Sequence, residues 1–158
     1  MADELELLKQ YLYIQSVRFG DRISCHCECA PECADVLVPA MVLQPIVENS
    51  ILHGFQNRLQ GGYIEVKASP VPNGKICICI SDNGCGMAQA ALEQLLKRIR
   101  EPFCSGHECV GLHSTYSQFA NLFKGDFSFS MENAPGGGMR TRILIPMRLP
   151  DVLPSGSA

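Results

Sequence analysis

Two alternating runs set the first limit on what this chain can fold into. Gly62-Tyr63-Ile64-Glu65-Val66-Lys67-Ala68 and Lys75-Ile76-Cys77-Ile78-Cys79-Ile80-Ser81 repeat their apolar residues at every second position, the period of a strand with one buried face. Val71-Pro72-Asn73-Gly74 lies between them, and Asn-Gly supplies the left-handed backbone of a tight hairpin. The second run leads directly into Asp82-Asn83-Gly84-Cys85-Gly86-Met87. A carboxylate at a strand end followed by two glycines has two readings. It is an ordinary Asn-Gly turn, or a ligand site where glycines bring backbone against a flat molecule while Asp82 accepts a hydrogen bond from an exocyclic amine.

The flanking segments place this stretch. From Asp3 to Phe19, Leu5, Leu8, Leu12 and Ile14 recur near helical period, and Gly20 with Asp21 closes the helix. A strand follows over 22–29. From Pro39 to Gly54 a helix is expected, with Leu43, Ile46, Val47, Ser50, Ile51 and Gly54 on one stripe. Asn49, His53 and Gln56 lie on a polar flank of that helix and Glu48 on its other side. Asn is poor mid-helix chemistry, so this flank is either a solvated face or a site. Ala88 to Ile99 reads as a helix with Leu92, Leu95, Leu96 and Ile99 inward and Lys97, Arg98 and Arg100 outward, either solvated or in contact with phosphate. Residues 101–110 lose all period and suit a mobile cover over a ligand. A further helix opens at Gly111-Leu112 and runs to Phe123, its first-turn N–H groups forming either a simple start or a phosphate site. Residues 126–131 and 139–147 form a last hairpin across 133–138, and 153–158 is a loose tail.

Composition narrows the classes of partner. At 158 residues, 46% hydrophobic and net charge −3, the chain is the size of one domain and carries no basic stripe for nucleic acid. It shows neither a membrane span nor a signal peptide, which points to a soluble, cytoplasmic setting. Of nine cysteines, four sit in Cys25-His26-Cys27-Glu28-Cys29-Ala30-Pro31-Glu32-Cys33. Strict alternation there fits one face of a strand better than paired zinc ligands, so buried, reduced thiols are expected.

Helix with Glu48-Asn49, strand-end Asp82-x-Gly84-x-Gly86, then Gly111-Leu112: in this order the motifs resemble the ATP-binding domain of sensor histidine kinases, within the GHKL ATPase superfamily. Leu43-Gln44-Pro45-Ile46-Val47-Glu48-Asn49 with His53-Gly54, and Tyr11 to Phe19, resemble the LytS-like sensor kinases in particular. The resemblance spans roughly residues 5–148. It implies an α+β, Bergerat-type two-layer sandwich: a mixed sheet of about five strands with about three helices on one face. It implies a linker helix over 1–20 from a histidine-bearing dimerisation domain, an ATP-binding catalytic domain over 21–149 and a tail over 150–158. By matching positions, Asp82 accepts the adenine amino group, Gly84, Gly86 and Met87 shape the base site, and Asn49 holds Mg²⁺. His53 joins the nucleotide contacts, Gly111 and Leu112 set phosphate donors, and Glu48 serves the acceptor histidine. The implied activity is γ-phosphoryl transfer from ATP to a histidine. Its partners are the dimerisation domain and a downstream response regulator, within a membrane-bound homodimer whose catalytic domain is cytoplasmic.

Several positions depart from that pattern. Leu52 replaces a basic residue, Cys109 the first glycine of Gly-x-Gly-Leu, Ser114 an Asn, and Met139 falls at a Gly-Thr pair. None of His26, His53, His107 and His113 has the helical setting of an acceptor. These departures keep open an alternative, a nucleotide-binding regulatory module of the same fold without phosphotransfer.

Overall fold

The structure, a computed structural model, describes residues 1–19, 22–56, 60–102 and 107–149. Gly20 and Asp21, the centre of the expected cover and the tail from residue 150 lie outside the described residues. Five strands form one sheet in the order β1-β2-β3-β5-β4: β1 (Ile23–Cys29), β2 (Gly62–Val71), β3 (Lys75–Asp82), β4 (Ser128–Asn133) and β5 (Met139–Pro146). β1 pairs with β2 in parallel and every other pair is antiparallel, so the sheet is mixed as expected. Both expected hairpins form, although β4 begins and ends two residues later than the periodicity indicated. Asn73 (φ 68°) and Gly74 (φ 66°) are both left-handed in the first turn, as that turn chemistry requires.

Alternation sorts the sheet into two faces. Ile64, Val66 and Ala68 of β2, Ile76, Ile78 and Ile80 of β3, and Ile143 and Ile145 of β5 are buried in one core with helix residues. Four helices supply that cover among the described residues: α1 (Ala2–Phe19), α2 (Gln44–Asn49), α3 (Gln89–Arg98) and α4 (His107–Phe123). Helix α1 is no free connector, since Leu5, Leu8 and Leu12 lie in this core. Tyr13, Ile14 and Val17 on its later turns face solvent.

The thiols differ from expectation. Cys25 is exposed, Cys27, Cys29, Cys77 and Cys79 are half-buried, and Cys33 is buried; all six are free. β1 is an edge strand and Cys77 and Cys79 point to the uncovered face, so neither set is fully enclosed. Desolvation still pushes the Cys27 and Cys77 thiols above their usual range, keeping them protonated at neutral pH.

Two helix starts also move. The helix expected from Pro39 begins at Gln44. Met41 takes a left-handed φ of 58°, which interrupts any helix before it. Leu43, the N-cap residue, offers no side-chain cap. The cap comes from α1 instead: the Glu4 carboxylate accepts the amides of Met41 at 2.6 Å and Leu43 at 2.9 Å. Burial pushes the Glu4 pKa up while those backbone donors oppose it. After Asn49 the helix widens into a π turn, Ser50–Gly54. Helix α4 in turn begins at His107, four residues before Gly111. The amides freed by that start belong to residues 107–109, and the second half of the expected loop is helical. Gly111 is a packing position: a Cβ there would lie 3.1 Å from Pro45 Cβ, so its hydrogen lets α4 approach α2.

Candidate functional site

The alternation of β3 that buries Ile76, Ile78 and Ile80 carries one step further and buries Asp82 at 6% exposure. A buried carboxylate is costly unless hydrogen-bonded, and three donors meet this one. Ser50, first residue of the π turn, donates its hydroxyl to Oδ2 at 2.6 Å. The amides of Gly84 and Met139 donate to Oδ1 at 2.8 and 3.1 Å. A carboxylate offers about four lone-pair sites, so one remains beyond the three donors found among the described residues, and it accepts only from a donor.

The loop after Asp82 is held at several points. Asn83 accepts the Tyr63 amide at 2.8 Å and donates to the Gly61 carbonyl at 3.0 Å. Cys85 donates its amide to the Gly54 carbonyl at 3.0 Å. Gly84 packs on Gly54: an added Cβ would stand 2.5 Å from the Gly54 carbonyl oxygen. Gly86 has φ 69° and faces the Asn133 side chain. The two glycines therefore serve different ends, one closing the loop onto the π turn and one turning it under the β4–β5 hairpin.

Between this loop, α2, α3, α4 and the sheet lies a cavity of about 340 Å³, open to solvent, at the small end of the usual range for ligand pockets. Ile46, Ile80, Leu95, Leu112, Met131 and Met139 make it largely apolar, while Asp82, Thr141, Asn49, Ser50, His53, Gln94 and Arg98 supply its polar points. Such a slot accepts a flat, mostly apolar ring with a donor at its edge. Asn49, His53, Asp82, Gly86, Met87 and Leu112 come together on its wall. Glu48, Gly84 and Gly111 do not. Glu48 instead accepts a 2.7 Å hydrogen bond from Gln44 Nε2, Gly84 supports the loop from behind, and Gly111 sits inside α4.

Some lining residues were not legible as functional in the sequence. Ser50 falls on the apolar stripe of its helix in the sequence yet lines the cavity, and Arg98, whose solvated reading is the simpler one from its helical position, is half-buried and reaches the cavity wall. Thr141 and Asn133 read as strand and turn; only their proximity to Asp82 and Met87 distinguishes them. Among the described residues, no three His, Cys, Asp or Glu side chains gather to hold a metal, and Asn49 is the neutral oxygen donor facing the cavity from α2. No helix among the described residues is long and apolar enough to cross a membrane.

Comparison with known proteins agrees with this geometry. The family model described as histidine kinase-, DNA gyrase B-, and HSP90-like ATPase matches residues 34–149. The chain is 33% identical over 95 residues to the sensor protein LytS of Staphylococcus epidermidis, covering 60% of this chain and 16% of that protein. It is 29% identical over 145 residues to LytS of Oceanobacillus iheyensis, covering 92% of this chain and 24% of that one. The chain thus spans about a quarter or less of these relatives. In fold it is similar to the catalytic domain of histidine kinase ThkA, with TM-score 0.64, 13% identity and 92% coverage of both chains. It is likewise similar to the mycobacterial sensor histidine kinase MprB, with TM-score 0.62, 18% identity, and 90% and 93% coverage.

Proposed function

Because this chain belongs to the histidine kinase-, DNA gyrase B- and HSP90-like ATPase family, we propose that it is the catalytic, ATP-binding domain of a LytS-like sensor histidine kinase. The observation that carries this reading is Asp82: a buried, acceptor-only carboxylate with one unfilled position, at the wall of an apolar slot. Adenine presents the amine that position needs, and an apolar wall of Ile80, Met131 and Met139 suits its ring faces.

The remaining residues take their roles around that anchor. Gly86 and Met87 form the lip over the base, His53 stands at the rim, and Leu112 backs the cavity. Gly111 brings α4 against Pro45, which leaves the first-turn amides of residues 107–109 as the phosphate donors. Asn49 is the residue that would hold Mg²⁺ through its amide oxygen, the ion's other partners being phosphate and water oxygens, since Mg²⁺ keeps several waters and binds substrate phosphates. Bound there, Mg²⁺ supplies neutralisation of the charge that builds on the phosphates. In the transfer, an imidazole nitrogen of the acceptor histidine attacks the γ-phosphorus, the bond to the bridging oxygen breaks and ADP leaves. Glu48, outside the cavity on the same helix, accepts the proton from the other ring nitrogen. We assign the acceptor histidine to a dimerisation domain joined through α1 and residues 1–20, the catalytic unit to 21–149, and 150–158 to a tail. The full-length protein is proposed as a membrane-bound homodimer acting on a response regulator.

Titration calorimetry with a Mg²⁺-bound, non-hydrolysable ATP analogue tests the site: wild type binds and Asp82→Asn does not, because an amide cannot serve as acceptor-only partner at both oxygens. Equal binding by the two would sink the assignment. Histidine-bearing helices of a LytS-like kinase, supplied in trans with γ-labelled ATP, acquire label under the proposal. Binding without labelling would leave the regulatory module.

A further inference from the structure

The Asn133 side chain lies across the backbone of Met87. Its Oδ1 accepts the Met87 amide at 2.9 Å, and its Nδ2 donates to the Met87 carbonyl, also at 2.9 Å. One side chain thus satisfies both polar groups of one residue, as a neighbouring strand would. Asn133 ends β4 and pairs with Met139 in β5; Met139 in turn donates its amide to Asp82. The tip of the β4–β5 hairpin therefore holds both sides of the Asp82 loop, at Asp82 itself and beyond it at Met87, a cavity-lining residue.

We propose that Asn133 is a positioning residue for nucleotide binding, fixing Met87 as the lip of the base slot. The inference rests on the nucleotide reading above. Its physical basis is that Asn133 is exposed. Without it the Met87 N–H and C=O would turn to water at little cost to the fold, so what the pair determines is where Met87 sits. The length and chemistry are specific: Asp lacks the donor, Gln is one methylene too long and Ala has neither group. Gly86 is part of the same device, since a Cβ there would stand 2.7 Å from Asn133 Oδ1.

The experiment compares wild type, Asn133→Ala, Asn133→Asp and Gly86→Ala, with Asn133→Ala/Gly86→Ala closing a double-mutant cycle. Amide hydrogen exchange at Met87 is read without nucleotide, and affinity for the Mg²⁺-bound ATP analogue by calorimetry. Asn133→Ala is expected to remove Met87 protection and weaken the analogue about tenfold, the cost of ordering a loosened Met87 on binding, with the melting temperature within about 2 °C of wild type. Asn133→Asp should be as weak at neutral pH, because a carboxylate oxygen then opposes the Met87 carbonyl. Gly86→Ala should cost less affinity in the Asn133→Ala background than alone. Unchanged affinity in Asn133→Ala, or strict additivity in the cycle, overturns the proposal. Loss of melting temperature with affinity intact overturns it too, in favour of a merely structural role. A wild type that protects Met87 but binds no analogue overturns the nucleotide reading and the ligand role with it. A wild type that binds without Met87 protection overturns the clamp alone.

Discussion

Replacing Gly84 by alanine tests how the loop is seated. Gly84 has an ordinary φ, so an alanine costs nothing in backbone conformation and the penalty comes from contact alone. The added Cβ would meet the Gly54 carbonyl oxygen at 2.5 Å, its Cα at 2.7 Å and its carbonyl carbon at 2.8 Å. All three are backbone and none can rotate aside. Ordinary contact begins at 3.4 Å, so the loop must retreat from the π turn by about 0.9 Å. That movement draws the Gly84 amide off Asp82 and the Cys85 amide off Gly54. Overpacking costs roughly 1–3 kcal/mol and each of the two bonds about 1 kcal/mol, so the sum is about 3–5 kcal/mol. For a chain this size the melting temperature should drop by roughly 6–20 °C, followed by far-ultraviolet circular dichroism. Gly74→Ala is the control: nothing lies within 4 Å of its Cβ and only its φ of 66° is unfavourable, so it should cost about 1–2 kcal/mol and leave analogue binding intact. A Gly84→Ala protein that melts with wild type and binds as well would refute the close-approach argument.

Other perturbations read other parts of the structure. Ser50→Ala removes the 2.6 Å bond to a buried carboxylate and should destabilise by about 2 kcal/mol; a change below about 0.5 kcal/mol in denaturant titrations would mean the hydroxyl is dispensable. Leu8→Ala, at 2% exposure in α1, should cost about 2–5 kcal/mol, whereas a helix serving only as a connector would tolerate it. Glu4 gives a pH signature. Its carboxyl titrates above the usual 4.5 in the fold because it is buried, so the native state holds the proton more tightly than the unfolded one. That contribution is complete below pH 4.5 and is lost as pH rises through the folded value. Wild type measured against Glu4→Gln should lose relative stability over that rise, and a flat difference would contradict it.

What was legible in the sequence was whatever depends on neighbours along the chain. Alternation located β2 and β3, and Asn73-Gly74 their turn; helical period located α1 and α3. Asp82 was visible because strand period and glycines bracket it. What escaped depends on residues far apart. The start of α2 is set by Glu4 from another helix; no local rule delays a helix for which Pro39 is a good first-turn residue. The start of α4 moved because a Pro- and Gly-bearing stretch masked its first turn, and Gly111 looked like a start when its task is contact with Pro45. Ser50 hid in an apolar stripe because its partner is across the fold, and Asn133 among turn residues for the same reason.

The parallel pairing of β1 with β2 has a consequence for the order in which the chain assembles. β2–β3 and β4–β5 are hairpins whose partners lie close in sequence, but β1 meets β2 only after the chain has traversed residues 30–61, the crossover that contains α2 and the π turn. Long-range parallel pairing forms slowly because loop closure must precede its reward. The Asp82 and Asn133 hairpins meet each other only through β3–β5, a pairing of still greater sequence separation, Ile80 with Thr141. Both long-range pairings, β1 with β2 and β3 with β5, must be made before the cavity is complete, and a ligand that fills it acts as a latch across the two.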